Sequence, residues 1–312
     1  MLTISFNKHT IPGSLARQLL KIGSRLTFIK EHADVDFGNL YTTKLSQDFK
    51  YPKPLMAEWI SLPGSRMECL RRIDKKSSHV ILQLHGGAYV SGYSDTYRKS
   101  AVKLHDVSCG ADIYSLDYRL APKHPYPAAL EDAVAAYEAL LRMGYVGEDI
   151  MIVGDSAGGG LALALGLYLR DHQIRMPRAI ITLSAWTDLA AQGESYLRNA
   201  SLDPLLGEGT APLDAVAYAG SPEMLKHPYV SPAYGDFDDF TTLMMHVGTH
   251  EVLESDTITV AKKASDAGND VTLYLYRGMF HVFQLAFDLT PEARKSWKII
   301  RDFIQNQFGC EL

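Results

Sequence analysis

The chain has 312 residues, of which 46% are hydrophobic and 21% charged, and a formal net charge of −5. This is ordinary composition for a globular protein, and the acidic balance argues against a nucleic-acid partner, whose binding proteins carry a basic stripe. A chain of this length can close one core, so a single α/β domain over 1–312 is the expectation.

Residues 1–50 are polar, with a helix expected around 13–31 and nothing strand-like. From about residue 56 onward, short β-rich runs alternate with helical ones. MAEWISL and RMECLRRI read as two early strands. HVILQL (79–84) is apolar and bounded by Gly86-Gly87, the pattern of a buried strand. A helix over 95–108, a strand at ADIYSLDY (111–118), a helix over 127–143, a strand at DIMIVG (149–154) and a helix over about 157–171 follow. RAIITLS, LMMHVG and VTLYLYR continue the series, and a helix from Pro291 closes it. Strands alternating with helices in this way predict a mostly parallel central sheet flanked by helices, an α/β fold. In such sheets ligands bind beyond the carboxyl ends of the strands. Residues 190–230 are far longer than an ordinary crossover loop. With residues 1–50 they are expected to form a helical cap over that end.

Three cysteines, Cys69, Cys109 and Cys310, are too few and too scattered for a disulfide framework or a zinc cluster and read as buried or incidental thiols. No metal and no cofactor is expected. The first fourteen residues show no apolar h-region or small-residue cleavage site. The longest apolar run, Leu161 to Leu169, falls well short of the roughly 20 residues needed to span a bilayer. A cytoplasmic protein without a membrane span is the expectation.

Gly154-Asp155-Ser156-Ala157-Gly158 matches G-x-S-x-G, directly after the strand DIMIVG and directly before the small-residue helix GGLALALGLYLR. That strand–turn–helix setting is what a nucleophile elbow on Ser156 requires. The helix N-terminus would turn free N–H groups and its positive end toward a developing anion. His85-Gly86-Gly87-Ala88, after HVILQL, is a Gly-rich loop in which backbone N–H groups can converge. With the N–H of Ala157 it would form an oxyanion hole, His85 and Gly86 supporting the loop. In this order of triad residues an acid and then a histidine follow the serine. Of eleven histidines, His281 alone follows residue 250, in the loop RGMFH after VTLYLYR. For the acid, Glu251 lies three residues past Gly248, while Glu254 and Asp256 are placed at the start of the next helix. Asp188, after RAIITLS, remains a competitor.

With these residues placed, the chain resembles the hormone-sensitive-lipase-like family of α/β-hydrolase carboxylesterases. HGGAYVSG is similar to the family's HGGG oxyanion loop, GDSAGG to its elbow, and DYRLAPKHPYPAALED to the stretch between them. HPYVSPAYGDF and VGTHEVLESD extend the likeness, which covers about residues 80–290. The resemblance implies an α/β-hydrolase fold with a cap, cofactor-free hydrolysis of short-chain acyl esters, and possible homodimers. It makes Gly87, Ala88 and Ala157 the oxyanion donors. Two positions depart from the family. Its third glycine is Ala88, which can supply a donor if its φ is negative, and the Asp-Pro-Leu common at the acid reads Glu251-Val252-Leu253. The expected function is a serine carboxylesterase using Ser156, Glu251 and His281. An amidase or formamidase shares this machinery. A non-catalytic small-molecule receptor on the same fold would be expected to lack the histidine.

Overall fold

The computed structural model describes residues 1–6, 44–207 and 211–310. The helix expected around 13–31, and with it most of the N-terminal segment expected to join the cap, lies outside the described residues. Nine strands form one sheet in the order β1-β9-β8-β7-β6-β4-β5-β3-β2. They are β1 (Leu2–Phe6), β2 (Leu55–Ser61), β3 (Arg66–Arg72), β4 (Val80–Leu84), β5 (Asp112–Asp117), β6 (Ile150–Asp155), β7 (Ala179–Leu183), β8 (Thr242–Gly248) and β9 (Val271–Tyr276). The pairs β2–β3 and β3–β5 are antiparallel, and every other pair is parallel. The α/β-hydrolase fold expected from the sequence is present.

The helices are α1 (Asp95–Val107), α2 (Ala128–Arg142), α3 (Ser156–Asp171), α4 (Ser195–Arg198), α5 (Ala211–Ala219), α6 (Glu254–Asp266) and α7 (Pro291–Phe308). The central strands are mostly apolar because both faces are covered, and the period of two sorts their residues. Val80, Leu82, Ile150 and Ile152 face a core that includes Ala133 of α2, Leu161 of α3 and Val260 of α6. Ile81, Met151 and Val153 face the opposite core, with Leu104 of α1 and Trp297 and Ile300 of α7. The parallel strands β4, β6, β7, β8 and β9 all end on one side. The loops that follow them bring residues 85–88, 156, 184, 251 and 281 to a common region.

Two expectations are corrected. Residues 1–50 are not free of strand, since β1 pairs in parallel with β9 at the sheet edge. Its sequence LTISF alternates apolar and polar residues in the strand period, but five residues make a weak signal by themselves. At the sheet edge only Ile4 and Phe6 are partly buried. Phe6 packs on Tyr274 and Tyr276. The cysteines are not all thiols either. Cys109 and Cys310 form a disulfide across 201 residues, because the end of α7 runs beside the α1–β5 loop and brings the Cα atoms to 6.6 Å. Cys69 remains a buried free thiol. Among the described residues no helix is long and apolar enough to cross a membrane.

Candidate active site

Ser156 opens α3 at the end of β6 with φ +51°, a left-handed conformation that costs a non-glycine residue about 1–2 kcal/mol. The flanking glycines make the turn possible by close approach. A Cβ at Gly154 would overlap the Gly158 carbonyl, and one at Gly158 would overlap the Leu84 and His85 carbonyls. The elbow is therefore pressed against the end of β4, where the His85–Ala88 loop begins.

The loops after β8 and β9 bring Glu251 and His281 to the same point. His281 Nε2 stands 2.9 Å from Ser156 Oγ, and His281 Nδ1 stands 3.0 Å from Glu251 Oε2. Glu251 accepts the Nδ1 proton, which leaves Nε2 to accept from the serine hydroxyl. Glu251 is 0% and His281 7% exposed. Burial pushes the imidazole down, but the hydrogen bond and charge of Glu251, with Asp203 and Asp155 adding, outweigh it and raise His281 above the ordinary 6.5. Burial likewise raises the Glu251 carboxyl, with His281 opposing. The two titrate as one unit.

Sequence reasoning missed the groups that fix Glu251. Its Oε1 accepts from the Ser184 hydroxyl at 2.8 Å and from the Gly248 N–H at 2.5 Å. Ser184 Oγ also accepts the Val282 N–H at 3.1 Å. Ser184 is one polar residue at the end of β7, and nothing in its neighbours marks it. The competing carboxylates are engaged elsewhere. Asp188 accepts from the N–H groups of Ala190 and Gln192 and from the Tyr234 hydroxyl. Asp256 accepts from the N–H groups of Thr187 and Asp188 and from the Tyr196 hydroxyl. Glu254 begins α6 and pairs with Arg198.

The glycine-rich loop lies against the elbow through Gly86, whose N–H donates to Asp155 Oδ1 at 3.2 Å. A Cβ there would sit 2.5 Å from Asp155 Oδ2. Tyr97 donates to the same Oδ2 at 3.1 Å, and burial raises the Asp155 carboxyl to about 6. His85 is buried, its ring stacked on Tyr118 at 4.1 Å with Nδ1 2.8 Å from the Gly86 carbonyl. Burial lowers it to about 4, so it stays neutral. Ala88 has φ +53° and Tyr89 φ +62°. The condition of a negative φ at Ala88 is therefore not met: alanine holds a glycine-like conformation here. Even so, none of the backbone hydrogen bonds among the described residues outside the regular helices and strands is donated by the N–H groups of Gly87, Ala88 or Ala157. Ala88, Tyr89, Ser156, Ser184 and Val282 all have positive φ, a concentration of strain of the kind found at functional sites.

An alpha/beta hydrolase fold family model matches residues 81–285. Among solved structures, an esterase described as belonging to the bacterial hormone-sensitive lipase family superposes with a TM-score of 0.82 at 31% identity, over 94% of this chain and 98% of the other. This chain belongs to the hormone-sensitive-lipase family of α/β-hydrolases. The HSL homologue EstE7, from a metagenome library, is similar to this family member with a TM-score of 0.83 at 34% identity, over 96% of this chain and 100% of the other. An acetyl-hydrolase of Streptomyces hygroscopicus is 34% identical over 81% of this chain and 80% of its own length. An esterase of Acinetobacter venetianus is 34% identical over 78% of this chain and 80% of its own.

Proposed function

We propose that this family member is a serine carboxylesterase that hydrolyses short-chain acyl esters through an acyl-enzyme on Ser156. The observation that carries the reading is the continuous hydrogen-bonded series Ser156–His281–Glu251 at 2.9 and 3.0 Å. Ser156 Oγ attacks the ester carbonyl while His281 Nε2 takes its proton. The tetrahedral oxyanion is held by the N–H groups of Gly87, Ala88 and Ala157. Collapse expels the alcohol, which receives the proton from His281. Water then enters and its oxygen attacks the acyl carbonyl while His281 Nε2 takes its proton. Collapse breaks the bond to Ser156 Oγ, which receives that proton from His281 as the acid leaves. Glu251 holds the imidazole in the productive tautomer throughout. No step calls for a cofactor, and the rate is expected to be unchanged after treatment with EDTA.

The restriction to short acyl chains rests on the insertion at 190–230, read as a cap. Tyr218 of α5 stacks face to face on Tyr89 beside the glycine-rich loop, ring centroids 3.5 Å apart, and would bound the acyl site. The acetyl-hydrolase name of one relative and the p-nitrophenyl butyrate soaked into EstE5 crystals, a structure 32% identical to this chain, agree with that reading. A series of p-nitrophenyl esters tests it. The expected kcat/KM is highest from acetyl to about hexanoyl, and higher on acetate than on the matched anilide. Best turnover on palmitate would overturn the chain-length reading, and faster anilide cleavage would indicate an amidase.

A further inference from the structure

The insertion between β7 and β8, read above as a cap, also reaches the loop that carries Glu251. Its polar side chains Ser195, Asn199 and Asp203 are 0%, 2% and 5% exposed, and all three face residues 249–255. The peptide unit joining Glu251 to Val252 is held from both edges. Asn199 Nδ2 donates to the Glu251 carbonyl at 2.7 Å, and Asp203 Oδ2 accepts the Val252 N–H at 2.9 Å. Asn199 also donates to the Thr249 carbonyl at 3.2 Å, on the other side of Glu251. One residue further on, the Ser195 hydroxyl donates to the Val252 carbonyl at 2.5 Å.

The holders are themselves held. Asp203 Oδ1 accepts the N–H groups of Leu205 and Leu206 at 2.9 and 3.0 Å. The Asp203 N–H donates to the Asn199 carbonyl at 2.9 Å, a helical turn that puts both side chains on one side. The tilt of the 251–252 peptide sets the direction of the Glu251 Cα–Cβ bond, and the carboxylate lies at the end of a long arm. A small rotation there moves the acid by about 1 Å, enough to cost on the order of a hundredfold in rate.

Building on the reading of Glu251 as the acid, we propose that Asn199 and Asp203 are positioning residues, which pin the 251–252 peptide from both edges and so place the Glu251 carboxylate against His281. The insertion is then part of the triad's support as well as a cover for the substrate.

The test is a pair of substitutions made in two backgrounds, with kcat and KM measured on p-nitrophenyl acetate and folding checked by circular dichroism. Asn199→Ala and Asp203→Ala are each expected to lower kcat by about ten- to hundredfold, with KM changed less than about threefold. In a Glu251→Gln background, where there is no carboxylate left to place, the same substitutions should lower the remaining kcat by less than about threefold. Equal losses in both backgrounds, or a raised KM with kcat intact, would overturn the proposal and assign these residues to folding or substrate binding. Glu251→Gln alone reports on the acid: if it stays active within about tenfold of wild type, the reading of Glu251 fails. A deep loss in Glu251→Gln beside an unaltered Asn199→Ala would overturn only the positioning. If the alanine variants do not fold, the near-isosteric Asn199→Asp, which sets an acceptor against the Glu251 carbonyl, carries the same comparison.

Discussion

The Ser184 hydroxyl bridges the proposed acid and the loop of the proposed base, donating to Glu251 Oε1 at 2.8 Å while accepting the Val282 N–H at 3.1 Å. One oxygen at the end of β7 thus fixes two elements that reach the site from β8 and β9. A hydrogen bond to a charged group contributes about 1.5–3 kcal/mol. Ser184→Ala is therefore expected to lower kcat by roughly ten- to hundredfold. A steady-state kcat within about twofold of wild type would show that Gly248 and His281 hold the carboxylate without it.

Ala88 sits at φ +53°, where alanine carries a penalty of about 1–2 kcal/mol and glycine carries none. Glycine loses more freedom on folding, about 0.5–1 kcal/mol. Ala88→Gly should thus raise stability by up to about 1 kcal/mol, while Ala88→Val should lower it, because branching at Cβ worsens the strain. Urea unfolding of the variants decides this, and a less stable Ala88→Gly would mean that the loop is not strained at this position.

Only a neutral imidazole can take the serine proton, so kcat/KM should rise with pH through the His281 ionisation. Burial lowers that pKa, and Glu251, Asp203 and Asp155 together raise it above 6.5. The half-height of the acidic limb is expected above 6.5 in the wild type. It should move down in Glu251→Gln, which removes the strongest raising partner. A profile measured from about pH 5 to 9 that is flat below 8 would rule out a histidine base.

The inner strands β4, β6, β7 and β8 were legible as short, mostly apolar runs and the others as short β-rich runs between helices or turns. The elbow was legible because tight turns need Gly154 and Gly158. His281 was legible by chain order. Other features left little local trace. The edge strand β1 alternates apolar and polar residues over Leu2–Phe6, but a run of five is too short to stand out. Cys109 and Cys310 are joined by tertiary approach across 201 residues. Ser184, Asn199 and Asp203 are ordinary polar residues whose partners around Glu251 and His281 lie about fifty or more positions away, so spacing could not reveal them. The φ of Ala88 was the instructive miss, because the surrounding loop dictates a conformation that alanine's own preference opposes.

The choice of acid separates two carboxylates with different surroundings. Glu251 Oε2 meets His281 at 3.0 Å, whereas Asp188 is satisfied by Ala190, Gln192 and Tyr234. Glu251→Gln is expected to lower kcat by roughly three to four orders of magnitude, as replacing the triad carboxylate does in serine proteases. Asp188→Asn should act through local stability and leave kcat of the folded protein within about tenfold. The reverse ranking of the two rates would move the acid to Asp188.

The most direct test of the account is covalent trapping. The protein would be treated with an organophosphonate, its intact mass measured, and the adduct mapped by peptide sequencing in parallel with p-nitrophenyl acetate hydrolysis. The account predicts one adduct per chain, carried on Ser156, appearing as hydrolysis disappears. It also predicts that folded Ser156→Ala takes no label and loses roughly three or more orders of magnitude in kcat. An adduct on another residue, or a Ser156→Ala variant active within about tenfold of wild type, would contradict it.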